Sequence, residues 1–227
     1  MIPLRDTIPS RSFPIVSISI LVLNVAVFVY EFSLGQRVTS LISSYGIIPA
    51  HFFSGGNLAG DLSEVPIRPW VLFTSMFLHG GWFHLGGNML YLWIFADNVE
   101  DRLGHFRFLF FYLLCGVISG FVHALANPHS TLPTIGASGA IAGVLGAYFL
   151  LFPRAKVLTL LPLGLYFPII ELPAFFFLGF WLLIQSISGV ASLAAHVESM
   201  AGVAWWAHIG GFVVGALLAL VLKKRDY

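Results

Sequence analysis

From Phe108 to Pro153 the chain carries no Asp, Glu, Lys or Arg. A bilayer crossing takes about 20 apolar residues, so this run is too long for one helix. It breaks at Asn127-Pro128 and Pro133, which predicts two helices, near 107–126 and 136–152. Upstream, the apolar run Phe13–Phe32 predicts a first helix near 13–32. Its length suits a span and no A-x-A-like site follows it, so it reads as a retained anchor rather than a cleaved signal. The run between Arg68 and Asp97 predicts a second helix near 83–101. Two further runs predict helices near 172–192 and 202–222. The expected fold is an all-α integral membrane protein, one domain over 1–227 with six transmembrane helices. Residues 33–82 form a long loop between helices 1 and 2, broken by Pro49, Gly55-Gly56, Pro66 and Pro69. Its stretch PWVLFTSMFL, with Trp70 and Trp82 as anchors, predicts that it lies partly in the membrane interface.

Composition agrees. Hydrophobic residues make up 58% and charged residues 9%, against about 25% charged in a soluble domain. Mean hydropathy is +0.91. A net charge of +1 argues against a nucleic-acid surface. The one cysteine, Cys115, has no partner for an intramolecular disulfide. With six spans, Arg5, Arg11, Arg102, Arg107, Arg154, Lys156, Lys223, Lys224 and Arg225 share one side, and Arg37 and Arg68 take the other. The positive-inside rule then puts both termini in the cytoplasm. The expected location is a prokaryotic cell (inner) membrane.

Against this apolar background, a few polar groups stand out by position. Ser138 lies in GASGA at the outer end of helix 4, and His208 in AHIGGF near the outer end of helix 6. A serine and a histidine at one depth offer a nucleophile and a base. His84 and Asn88 open helix 2 from the same side, and their i, i+4 spacing puts them on one face. Gly136, Gly139 and Gly143 on helix 4, and Gly211 and Gly215 on helix 6, allow two backbones to approach closely. Each signal alone has a plainer meaning. Small-xxx-small pairs mostly serve packing, a membrane serine usually bonds its own helix, and a lone histidine can be structural or relay protons. Their agreement in depth favours hydrolysis. No inverted repeat or charged pathway marks a transporter. His-Glu-x-x-His is absent, and no metal or other cofactor is expected.

The motifs HGGWFHLGGNMLYLW, NVEDRLG, GASGA and AHIGGFVVG, in that order on helices 2, 4 and 6, resemble those of the rhomboid intramembrane serine proteases. The resemblance implies Ser138 as nucleophile and His208 as general base, a dyad without a third acid. It implies His84 and Asn88 as oxyanion-hole side chains, with Gly136, Gly139 and Gly211 shaping the active-site backbone. It implies single-pass transmembrane proteins as substrates, cut near the outer end of their membrane segment, with the lipid bilayer as the other partner. The competing reading is a rhomboid-like binding or quality-control factor without catalysis. Some members stack a tyrosine, four residues after the serine, on the histidine; here that position is Ala142, and the sequence does not name what orients the His208 ring. Trp205 and Trp206 are its aromatic neighbours in sequence. Asp97, Glu100 and Asp101 are expected to be interfacial or hydrogen-bonded groups, Glu171 to start helix 5, and His79 to support the loop. His123, His129 and His196 are expected near outer loops. Helix 5, which follows Pro162, Pro168 and Pro173 and lacks small-residue seams, is the expected moving wall for substrate entry, together with the 33–82 loop.

Overall fold

The computed structural model describes residues 1–53, 68–194 and 203–223. Gly55, Gly56, Pro66, His196, Gly202, Lys224 and Arg225 lie outside the described residues. Six long helices occur among them: α1 Ile15–Ser33, α2 Trp82–Leu103, α3 His105–Ala126, α4 Ser138–Leu151, α5 Ala174–Ala194 and α6 Trp205–Leu222. α1, α3, α5 and α6 are long and apolar enough to cross a membrane. α4 is apolar but has 14 residues. α2 has 22 residues and gathers its charges, Asp97, Glu100, Asp101 and Arg102, in its last two turns. Phe83, Phe106 and Val221 are each at least four-fifths exposed on the outside of the bundle. Large apolar side chains displayed on every side suit a lipid surround and not water.

α4 is the centre of the bundle. Every residue from Gly139 to Tyr148 is buried, so this helix is apolar all round rather than amphipathic. It starts at Ser138 and not at the expected 136, because Gly136 has φ +124°, a conformation closed to the helix and rarely open to L side chains. It ends at Leu151, with Phe152 as its C-cap just before Pro153. α2 and α3 are separated by Gly104 alone, with φ +85°.

α1 has no side-chain cap of its own. Its first N–H groups are satisfied from α2: the buried Glu100 carboxylate accepts from Val16 N–H at 3.0 Å, Ser17 N–H at 2.8 Å and Ser17 Oγ at 2.6 Å. A carboxylate at a helix N-terminus also meets the positive end of the helix dipole. Asp101 accepts from Ser12 Oγ at 2.6 Å. The acidic end of α2 is therefore a clasp on the chain entering α1.

At this same end the chain forms a feature the hydropathy pattern did not predict. β1 Ile2–Asp6, β2 Lys156–Leu160 and β3 Ile169–Pro173 make an antiparallel sheet in the order β1-β2-β3. Leu172 and Pro173 are therefore strand and not the start of helix 5, which begins at Ala174. Glu171, expected at a helix start, pairs with Leu158 across the sheet and accepts from Lys156 Nζ at 2.8 Å. β-branched Val157, Thr159, Ile169 and Ile170 explain the preference for strand over helix. The Asp6 carboxylate ties the sheet to the bundle, accepting from Tyr148 Oη at 2.5 Å and Asn98 Nδ2 at 2.9 Å.

The 33–82 connection is not a bare loop. It contains short helices at Val38–Tyr45, Ala50–Phe53 and Val71–Thr74. Ile47 bridges to Thr134 in the chain leading to α4. Trp82, at the end of this connection, packs its ring edge-on against Phe28 at 4.9 Å and Phe32 at 5.6 Å of α1.

Candidate active site

Ser138 is the first residue of α4, so its N–H and those of Gly139 and Ala140 have no carbonyl four residues earlier in the helix to bond. Gly136 N–H donates to Ser75 O at 2.9 Å, which holds the approach to α4 in place. His208 lies one turn into α6. Its Nε2 is 2.8 Å from Ser138 Oγ. The glycine seam between α4 and α6 makes that distance possible. A Cβ on Gly211 would overlap the Gly139 carbonyl, and one on Gly215 would overlap the backbone of Gly143. The two helices are in backbone contact, and no larger residue fits without pushing them apart.

His84 and Asn88 come from the first two turns of α2. Gly80 N–H donates to His84 Nδ1 at 3.3 Å, which leaves the ring proton on Nε2. That Nε2 faces the backbone just before Ser138: a Cβ on Gly136 would stand 2.6 Å from it and 3.6 Å from Asn88 Nδ2. Asn88 Nδ2 is buried and donates to no group among the described residues. A buried donor left unpaired is costly, and it marks a place where an acceptor is missing. His79 supports the loop through its backbone, donating its N–H to the buried Glu31 carboxylate at 3.1 Å. Its ring packs edge-on at 5.1 Å from His84. Burial, with a smaller contribution from His84, pushes the His79 ring down to about 4, so it stands neutral at neutral pH.

The His208 ring is held from α5. Gln185 Oε1 is 2.7 Å from Nδ1, and Trp181 lies 5.7 Å from the ring with planes tilted by 36°. Trp205 touches the ring edge-on at 6.4 Å. Ser138, His208, His84, Asn88, Trp181 and Tyr91 line a cavity of about 770 Å³. His123 of α3 also reaches this cavity, whereas the sequence placed it only near an outer loop. Among the described residues no group of His, Cys, Asp and Glu is arranged to hold a metal ion.

The Rhomboid domain family model matches residues 66–225. The chain belongs to the rhomboid family. Its relatives include rhomboid protein 1, mitochondrial, of Saccharomyces cerevisiae, 34% identical over 66% of this chain and 41% of that protein. The rhomboid-like protein 11, chloroplastic, of Arabidopsis thaliana is 30% identical over 77% of this chain and 60% of that protein. The rhomboid protease GluP of Bacillus subtilis is 32% identical over 66% of this chain and 26% of its own length. This rhomboid therefore spans less than two thirds of the length of these relatives. Relatives with mitochondrial and chloroplastic names give no support to the expected prokaryotic membrane; what they and the helices support is a multi-pass integral membrane protein.

In this rhomboid the structure gathers Ser138, His208, His84, Asn88, Gly136, Gly139 and Gly211 around one point. Sequence reasoning missed Gln185 and Trp181. A signal for them was present. Gln185 is an amide in the apolar run FWLLIQSISG, four residues after Trp181 and so on the same helix face. A strongly polar residue inside a span is a functional marker by default.

Proposed function

We propose that this rhomboid is an intramembrane serine endopeptidase that cleaves single-pass transmembrane proteins near the outer end of their membrane segment. The observation that carries the reading is the 2.8 Å contact between Ser138 Oγ and His208 Nε2, in the wall of a cavity that also holds the unpaired Asn88 Nδ2 donor. Ser138 Oγ gives its proton to His208 Nε2 and attacks the scissile carbonyl. The oxyanion that forms accepts from Asn88 Nδ2, from His84 Nε2–H and from the first N–H groups of α4, whose helix dipole also favours negative charge there. His208 then returns the proton to the leaving amine, and water releases the acyl group by the same route.

Depth follows from length. α4 has 14 residues and is about 21 Å long, short of a hydrocarbon core of about 30 Å. With its Arg154 end at the cytoplasmic interface, Ser138 sits below the outer surface, in reach of a membrane segment and of water through the cavity. The positive-inside rule assigns the end of the bundle that carries Arg5, Arg11, Arg102, Arg107, Arg154 and Lys156 to the inner side of the membrane. A substrate helix has to unwind locally, because a regular helix hides its carbonyls in its own hydrogen bonds.

Cleavage by purified protein in proteoliposomes tests the reading. With a model single-pass substrate, Ser138→Ala and His208→Ala each abolish cleavage while leaving detergent stability near that of the wild type. Near-normal cleavage by either variant contradicts the assignment.

A further inference from the structure

The ring of His208 has two nitrogens, and the proposed chemistry uses one. For Nε2 to take the Ser138 proton, its lone pair must face Ser138 Oγ, so the resting proton has to sit on Nδ1. Nothing on α6 arranges this. The group at Nδ1 is Gln185 Oε1, 2.7 Å away on α5, with Gln185 6% and His208 9% exposed. An amide oxygen accepts and does not donate, so it selects the Nδ1–H tautomer. Both side chains are buried, where a hydrogen bond is stronger than in water. Trp181, one turn earlier on the same helix, packs against the ring and fixes its rotation.

We propose that Gln185 is the third member of this site, a positioning residue that sets the tautomer and orientation of His208. This rests on the Ser138–His208 reading above. Where a serine protease of the familiar triad uses an acid, this chain uses a neutral amide. The amide accepts from Nδ1–H without the charge that would raise the basicity of the ring. Among the described residues, the other titratable side chains that act on His208 are His84 of α2 and His123 of α3, and neither occupies Nδ1.

The test uses Gln185→Met, which keeps length and removes the acceptor, and Gln185→Glu, which keeps an acceptor and adds charge. Histidine-labelled ¹⁵N NMR of the full chain in micelles, with His208→Ala for assignment, reads the tautomer. In the wild type the proton is expected on Nδ1. Gln185→Met mixes the two tautomers and lowers kcat roughly 10- to 100-fold with KM little changed. Gln185→Glu restores the Nδ1–H form and most of kcat, and moves the acid limb of the pH profile to higher pH, because a carboxylate favours the protonated imidazole. A Gln185→Met protein with the wild-type tautomer and wild-type kcat overturns the proposal. So does an equal loss in both variants with an unchanged spectrum, which is the pattern of a merely structural residue. A wild type that never cuts substrate, while its spectrum still responds to Gln185→Met, sinks the protease reading and leaves the hydrogen bond standing.

Discussion

At the scale of residues, the site is a set of polar atoms whose partners are specified one by one. His84 is set by Gly80 at Nδ1, and His208 by Gln185 at Nδ1, so both rings present Nε2 inward. The first presents a proton and the second a lone pair. That opposition is what an oxyanion donor and a general base require. Asn88 adds an amide with an unpaired buried donor. Single changes Asn88→Ala and His84→Ala are each expected to lower kcat about 10²–10³-fold with a smaller effect on KM, since each removes a contact made mainly to the transition state. Activity persists because the α4 N–H groups remain. A double variant with wild-type kcat, measured on the same single-pass substrate, removes both residues from the account. That His84 and Asn88 share a face beside Ser138 was legible from their i, i+4 spacing at one end of an apolar helix. The Gln185–His208 pair was not legible, because the two residues lie 23 positions apart on different helices and hydropathy does not encode which helix faces meet.

At the scale of elements, the α4–α6 seam decides whether the residues meet. The small-xxx-small pairs marked it in the sequence, and the structure shows how little room it leaves. Gly211→Val drives branched carbons into the Gly139 carbonyl, and overpacking of this kind costs about 1–3 kcal/mol. The expected outcome is a lower thermal midpoint together with a loss of cleavage greater than the stability change explains, because His208 sits three residues before the wedge. Gly179→Ala on α5 is the control: its added carbon would meet Phe149 at an ordinary 3.8 Å. Equal midpoints and equal cleavage for the two variants contradict a seam that positions the site. The β1-β2-β3 sheet was not legible. Its strands have five residues each, too short for a clear period-2 pattern, and β3 runs directly into the apolar stretch of α5. Pro168 and Pro173, expected to lead into helix 5, instead precede and end β3.

At the scale of the whole molecule, six apolar runs were enough to place six helices in order. What hydropathy cannot encode is which helix is central. α4 is the shortest of the long helices and the one surrounded by others, so its run of small residues is a packing surface on every side. Its shortness carries Ser138 into the protein's interior, where α2, α5 and α6 bring His84, Asn88, Gln185 and His208 to it. The central claim is that this assembly makes Ser138 a nucleophile. A fluorophosphonate, which captures an activated serine, tests it most directly on the purified full chain, with the adduct mapped by mass spectrometry. The account predicts one adduct, on Ser138, absent from Ser138→Ala and formed at least about 100-fold more slowly by His208→Ala. An unlabelled wild type, or equal labelling of the Ser138→Ala protein, contradicts it.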